Sequence, residues 1–174
     1  MLEVFAGRRT AGGLVQADAS RAWPLRPGAA GLVFAARAAH LLDRRHLVTE
    51  LTRALRPGGL VVLGRVQRQP DGLRARLRDH RRTLLAQQGV DPGGDGAQRG
   101  QKLLDDLVGL GGERLPTATA ACWTVETDPA QVIANWRTGG RPTPAAVLDK
   151  VADCAPPQPE TEEERYALDA VRIP

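Results

Sequence analysis

Aromatic residues are scarce in this chain of 174 residues: they make up 3% of it, as two Phe, one Tyr and three Trp. Hydrophobic residues still account for 42% and charged residues for 25%, close to the averages of soluble globular proteins. These values argue against a disordered or fibrous chain. We therefore expect one ordinary domain whose core is packed mostly by aliphatic and alanine side chains.

Cysteine is also scarce, since only Cys122 and Cys154 are present, and they are far apart in the sequence. Neither has partners at metal-ligand spacing, so we expect no metal site and a reduced, cytoplasmic protein. Long apolar runs are lacking too. The longest, residues 29–36, is too short to span a bilayer, and no charged-then-apolar leader opens the chain, so no membrane partner is expected.

Lysine occurs only at Lys102 and Lys150, and arginine supplies the other 22 basic residues. Residues 1–102 hold 18 basic and 8 acidic residues, whereas residues 103–174 hold 6 and 12. This polarity suits an acidic ligand or nucleic acid without establishing either. The arginine-rich stretch 74–82 has no interleaved aromatic residues and carries leucines at helical spacing. It is therefore expected to be a cap or a solvated helix, and a nucleic-acid partner is disfavoured.

Three short apolar runs, residues 13–18, 31–36 and 60–64, are typical of strands in a sheet that is covered on both faces. Between the second and third runs, apolar residues at helical spacing from Leu47 to Leu55 predict a helix, with Glu50 and Arg53 facing away from the apolar stripe. The sequence Arg-Pro-Gly-Gly at residues 56–59 is expected to end it. Strand, helix and strand in this order predict a βαβ unit.

The second half of the chain changes character at residue 69. Leucines at 73, 77, 84 and 85 predict a helical stretch, residues 92–96 form a glycine-rich break, and a short helix follows near residues 103–107. We then predict a strand over 117–126, a helix over 129–136 capped by Asp128, a helix over 143–152 capped by Thr143, and a closing strand over 165–173. The acidic cluster within residues 160–164 is expected to be a solvated loop.

The order and spacing of these pieces resemble the class I S-adenosylmethionine-dependent methyltransferases that act on small molecules. The resemblance is carried by Leu-Val-Gln-Ala-Asp-Ala at residues 14–19, by residues 31–42, and by the helix that ends in Leu-Arg-Pro-Gly-Gly at residues 55–59. It implies an α/β fold: a partial Rossmann-like doubly wound sheet from the family's strand order 3-2-1-4-5-7-6, with a helical cap insertion and C-terminal closing strands. Residues 1–68 would supply the third to fifth strands, residues 69–112 the cap, and residues 113–174 the rest of the same domain.

The resemblance also implies site residues. Asp18 would contact the adenine amino group of the cofactor S-adenosylmethionine, with the Ala19 amide near the ring. Ala35, Ala36 and Arg37 would lie beside its methionine portion. The alternatives are that Asp18 only forms a turn and that Arg37 is a solvated charge.

Two histidines are candidates for the substrate side. His40 and His80 would line the pocket of a small-molecule methyl acceptor, and His40 is a weak candidate for a general base. Methyl transfer from a sulfonium needs no nucleophilic triad, and the spacing of the three histidines supports neither a triad nor a metal cluster. The alternative for His40 is a helix-start residue satisfied by backbone.

Two family motifs have no counterpart here: the glycine-rich loop after the first strand and the acid that holds the ribose. Met1-Leu2 with Ala6 and Arg8 resembles an internal helix of the family, so we expect that the chain begins partway through the fold. Loss of two strands would leave the family's fourth strand as an exposed edge and its third strand without a neighbour.

The predicted function is methyl transfer that requires an upstream segment absent from this chain. The alternative is a non-catalytic remnant of a methyltransferase that forms a homodimer or binds another partner. A third hypothesis, an arginine-rich nucleic-acid module, predicts binding that falls steeply with salt.

Overall fold

A computed structural model describes residues 15–92, 96–139 and 143–174 of the chain. Four strands in these ranges form one sheet in the order β1-β2-β4-β3. In chain order the elements are β1 (Ala30–Ala36), a one-turn 3-10 helix (Ala39–Leu41), α1 (Arg44–Ala54), β2 (Leu55–Arg68), α2 (Leu73–Gln87), α3 (Gly96–Gly109), β3 (Glu113–Thr127), α4 (Pro129–Thr138), α5 (Ala145–Asp153) and β4 (Glu160–Arg172).

The predicted βαβ unit is confirmed as β1, α1 and β2. Helix α1 starts at Asp43, whose side chain accepts a hydrogen bond from the backbone N–H of His46, and it buries Leu47, Leu51 and Ala54. The helix ends earlier than expected, because Leu55 is already the first residue of β2. Within β2, Gly58 has a φ of 74°, a left-handed conformation that glycine adopts without strain, and its N–H donates to the carbonyl of Ile173.

The strand order matches the resemblance. The family's strand order is 3-2-1-4-5-7-6. Its last four strands in that order, 4-5-7-6, correspond to the observed sheet order β1-β2-β4-β3. Among the described residues, β1 is therefore an edge of the sheet, in agreement with the expectation from the sequence.

The first predicted strand is not found. Residues 13 and 14 lie outside the described residues, and residues 15–18 have no regular structure. A segment forms a strand only when a neighbouring strand satisfies its backbone groups, and no strand of the described sheet pairs with residues 15–18.

The chain divides into two compact units. Of the described residues, the first comprises 15–62, 99–115 and 170–174, and the second comprises 63–92, 96–98, 116–139 and 143–169. In the first unit, α3 buries Leu103, Leu104 and Leu107. In the second, α2, α4 and α5 share a hydrophobic cluster of Leu73, Leu77, Val132, Ile133, Leu148 and Val151. The three-part division at residues 68 and 112 stays a prediction.

The acidic cluster is not a loop. Strand β4 begins at Glu160, five residues before the predicted start, and Glu162 and Glu164 are buried within it. Arg68 donates to Glu164 at 2.7 Å, so the buried charge has an opposite charge beside it. The cluster is thus one strand of the sheet whose carboxylates have partners.

Most of the remaining predictions hold. Helices α2 and α3, strand β3 and helix α4 with its Asp128 cap are confirmed, although residues 93–95 of the glycine-rich break lie outside the described residues. The cap of α5 was wrong by one residue. Pro144 occupies that position without a side-chain hydrogen bond, and the Thr143 hydroxyl instead accepts a 3.4 Å hydrogen bond from Arg81.

Candidate functional site

The candidate adenine contact, Asp18, lies in an exposed turn at the start of the described chain. Its Oδ1 accepts hydrogen bonds from the backbone N–H of Ser20 at 2.9 Å and from the Ser20 hydroxyl at 2.7 Å. These bonds, the hydroxyl's above all, hold the pKa of the Asp18 carboxyl below its ordinary value. The turn-forming role considered for Asp18 is therefore real, and the carboxylate it stabilises is open to solvent.

Helix α1 holds the segment after this turn through a buried carboxylate. Glu50, which is 6% exposed, accepts a 2.9 Å hydrogen bond from the backbone N–H of Trp23 and a 2.5 Å bond from Arg53. The Arg53 guanidinium, and then the Trp23 N–H, lower the pKa of Glu50. The prediction that Glu50 faces away from the core was wrong, because the 18–25 segment covers that side of the helix.

Arg53 binds the same segment through two of the segment's backbone carbonyls. Its guanidinium donates to the carbonyl of Leu25 at 2.6 Å and to that of Trp23 at 3.0 Å. The pKa of Arg53 is raised by its hydrogen bond to Glu50. One ion pair on α1 thus holds a backbone N–H and two backbone carbonyls of the segment.

The carbonyl of Ala19 is held from two sides. The Trp23 indole N–H donates to it at 3.2 Å, and Nε2 of His46 lies 3.1 Å away, which makes this nitrogen the donor because a carbonyl only accepts. Asp18 and Ala19 therefore lie in a turn that α1 positions, although neither contacts the helix core. Sequence reasoning missed His46, Glu50 and Arg53. The spacing of Glu50 and Arg53, three residues apart on a helix, was the signal that could have indicated this ion pair.

At the carboxyl end of β1 the chain reverses sharply. Ala35 is half-buried, Ala36 and Arg37 are exposed, and Arg37 has a φ of 55°. A left-handed conformation is uncommon for a residue other than glycine, and nothing in the sequence predicted it here. Strained backbone is often found at ligand sites, so the conformation of Arg37 makes the end of β1 a candidate part of the site.

His40 lies in the 3-10 helix that follows, half-buried against a cavity of about 310 Å³. The cavity is lined by Ala39, His40, Leu42, Asp43, Arg44, Leu47, Arg99, Lys102 and Leu103. All of these residues belong to the first compact unit, as do Asp18, Ala19 and the end of β1. The structure thus assigns six of the seven candidate residues to one unit.

His80 is the exception, since it lies on α2 in the second unit. It is half-buried, and its Nε2 is a buried atom with no hydrogen-bond partner among the described residues. Its assignment to a substrate pocket stays a prediction.

The Asp18 carboxylate has unused hydrogen-bond acceptor positions. An ionised carboxylate has about four acceptor sites, and Asp18 uses two of them for Ser20 while Arg21 approaches at 3.4 Å in the open. It therefore keeps acceptor capacity for an exocyclic amino group. At the end of β1, the half-buried Ala35 and the exposed Ala36 both carry small side chains.

Membrane-spanning helices and metal-binding clusters are both absent from the described residues. In the described part of the chain, no helix has both the length and the apolar character needed to cross a membrane. No group of three or more His, Cys, Asp or Glu side chains placed to hold a metal ion occurs among residues 15–92, 96–139 and 143–174.

Comparison with known proteins confirms the resemblance to class I methyltransferases. Residues 1–63 match the family described as a methyltransferase domain. A candidate methyltransferase from Bacillus halodurans has a similar structure, with a TM-score of 0.53 and 16% identity over 99% of this chain and 76% of that one. At this identity the likeness is one of fold. No curated protein sequence matches the chain.

Two further structures are less similar. A candidate type II methyltransferase from Anaeromyxobacter dehalogenans has a TM-score of 0.49 and 19% identity, over 86% of this chain and 68% of that one. A geranyl diphosphate C-methyltransferase from Streptomyces coelicolor, solved with Mg²⁺, geranyl diphosphate and S-adenosyl-L-homocysteine, has a TM-score of 0.37 and 14% identity, over 91% and 53% of the two chains.

Proposed function

Because its first 63 residues match a methyltransferase domain, we propose that this chain takes part in methyl transfer from S-adenosylmethionine to a small-molecule acceptor. The observation that carries the proposal is the Asp18 turn. Its carboxylate is ionised, exposed and hydrogen-bonded by Ser20, and α1 holds the adjacent Ala19 carbonyl and Trp23 N–H. The resemblance puts the adenine contact at this point in the chain.

The residues have separate roles in this proposal. Asp18 accepts a hydrogen bond from the adenine amino group, and the Ala19 amide lies beside the ring. The backbone of Ala35, Ala36 and Arg37 contacts the methionine portion of the cofactor. When bound, the cofactor supplies a methyl group already activated by its sulfonium. The chain then has to align the acceptor and exclude water.

His40 is the proposed residue on the acceptor side, because it lines the cavity in the same compact unit as the Asp18 turn. It removes a proton only if the acceptor atom carries one in the reactive state. His80 is a second candidate for contact with the acceptor.

We further propose that cofactor binding needs another strand beside β1. Leu32 and Phe34 on this edge strand are 57% and 53% exposed, so the described residues leave its apolar side chains uncovered. Ligands of doubly wound sheets bind at the carboxyl ends of strands near the switch in strand order, which in this family lies beside the strand equivalent to β1. The additional strand comes from an upstream segment or from a second chain.

The exposed edge also favours a second candidate function. A long edge with apolar side chains is a template for pairing with another strand. In this alternative, the chain is a non-catalytic protein that forms a homodimer or binds a partner through β1. It predicts association without any affinity for the cofactor.

Calorimetric titration with S-adenosylhomocysteine separates these functions. The variant Asp18→Ala should weaken binding, whereas Asp79→Ala, which removes an exposed carboxylate on α2, should not. If the 174-residue chain does not bind, a version that begins upstream in the same gene should bind with the same dependence on Asp18. Failure of both versions, when folded, would overturn the enzymatic proposal and leave the dimer, which sedimentation velocity detects.

A further inference from the structure

The cavity beside His40 has a basic wall. Arg99 and Lys102 on α3 and Arg44 at the start of α1 line it, and Asp43 is the only acid among the nine described lining residues. A cavity of about 310 Å³ is large enough for part of a small molecule. The charge of this wall therefore bears on which acceptor can enter.

The three basic groups differ in how far they are neutralised. Arg44 pairs with Asp106 at 3.2 Å, so its charge is largely balanced. Arg99 donates a long hydrogen bond of 3.4 Å to the carbonyl of His40, a neutral group that leaves the guanidinium charge in place. Lys102 is exposed and has no ion-pair partner among the described residues. Arg99 and Lys102 thus keep their charge for a ligand.

These two side chains share a helix face. They are three residues apart on α3, a spacing that brings side chains together on one side of a helix. Beneath them lie Leu47 and Leu103, which are 5% and 2% exposed. Because the two cations lie on one side of the cavity, their attractions for an anion bound there add.

The single acid in the wall is already engaged. Oδ1 of Asp43 accepts a 2.8 Å hydrogen bond from the backbone N–H of His46, which fixes the carboxylate as the cap of α1. The first turn of α1 itself carries a partial positive charge. The balance of charges around the cavity is therefore positive.

We propose that this cavity binds an anionic group, a carboxylate or a phosphate, of the methyl acceptor through Arg99 and Lys102. This inference rests on the proposed function, which it deepens by naming the class of acceptor. It makes Arg99 and Lys102 specificity-determining residues. His40, whose carbonyl contacts Arg99, lies next to the bound anion.

The test is a calorimetric titration of the full chain with two probes, inorganic pyrophosphate and succinate, at low and at physiological ionic strength. We expect saturable binding of at least one probe that weakens as salt is raised, and the preferred probe distinguishes a phosphate from a carboxylate. Because both side chains are exposed, Lys102→Met and Arg99→Gln should each weaken binding by only about threefold, and together by about tenfold.

Two further variants sharpen the result. Asp43→Asn keeps a residue that caps helices well but removes the acid from the wall, so it should tighten binding. Arg45→Gln, which removes an exposed arginine of α1 outside the cavity, is the matched control and should leave binding within about twofold of the parent. Circular dichroism checks that each variant is folded.

The outcome is independent of cofactor binding. Anion binding that depends on Lys102 and Arg99 supports the inference whether or not this chain binds S-adenosylhomocysteine. Failure of both this chain and its upstream version to bind S-adenosylhomocysteine would count against the proposed function alone. Two results would overturn the inference: no binding of either probe by the folded chain, or binding that Arg45→Gln weakens as much as Lys102→Met does.

Discussion

Truncation of Glu162 should destabilise the protein far more than truncation of its neighbour Glu163. Glu162 is 4% exposed in β4, where one carboxylate oxygen accepts the hydroxyl of the buried Thr127 and the other accepts the backbone N–H of Arg74 at 3.3 Å. Arg74 lies in the first turn of α2, so the carboxylate also opposes the positive end of that helix.

The magnitude follows from the groups left behind. Glu162→Ala orphans one buried and one partly buried donor, each costing about 1–1.5 kcal/mol, and removes a helix-end charge worth about 0.5 kcal/mol. We therefore expect a loss of about 3 kcal/mol in the free energy of unfolding. Glu162→Gln keeps the shape and one acceptor, and Thr127 can turn its hydroxyl to accept from the amide, so this variant should lose only about 1 kcal/mol.

Urea unfolding followed by far-ultraviolet circular dichroism measures these losses. The control Glu163→Ala removes a partly exposed carboxylate paired with exposed Arg165 and should change stability by less than about 0.5 kcal/mol. A double-mutant cycle with Thr127→Val should give a coupling energy of about 1 kcal/mol. Equal losses for Glu162→Ala and Glu163→Ala would refute the reasoning.

Two other predictions concern pH and packing. The pKa of Glu50 is lowered in the folded chain, so its contribution to stability is present above its unfolded pKa and is lost as the pH falls through the folded value. Glu50→Gln should therefore reduce the loss of stability at acid pH, measured by urea unfolding at several pH values. An unchanged loss at acid pH would contradict this. At Gly64, a Cβ atom would lie 2.7 Å from Cζ of Tyr166 and closer still to its hydroxyl, so Gly64→Ala should cost about 1–3 kcal/mol by thermal unfolding. Gly109→Ala meets open space and should be neutral or stabilising, and similar losses at both positions would be inconsistent with the steric cause.

The sequence predicted those elements whose signals are local. Helix α1 has its cap and apolar stripe within eleven residues, and α4 has Asp128 and Pro129 in adjacent positions. The sheet order came from the resemblance, since no local pattern specifies which strands are neighbours. These parts of the fold agree with the structure.

The wrong predictions concern residues whose structure depends on partners far away in the sequence. Glu164 was predicted to be solvated because four glutamates within five residues are normally exposed, but its partner Arg68 is 96 residues away. The strand expected at residues 13–18 needs a neighbour that its own sequence cannot reveal. In the candidate site, the Asp18 turn was only an alternative to a ligand contact, and its support by Glu50 depends on a contact across 27 residues.

The support of the 18–25 segment by α1 has a consequence for the order of folding. The segment has no regular structure of its own, and its contacts with Glu50 and Arg53 cross 27 to 30 residues. Closing such a loop costs entropy that is recovered only when the helix is already formed. Trp23 should therefore dock late, after the rate-limiting step, and weakening its contacts should speed unfolding while leaving the folding rate unchanged.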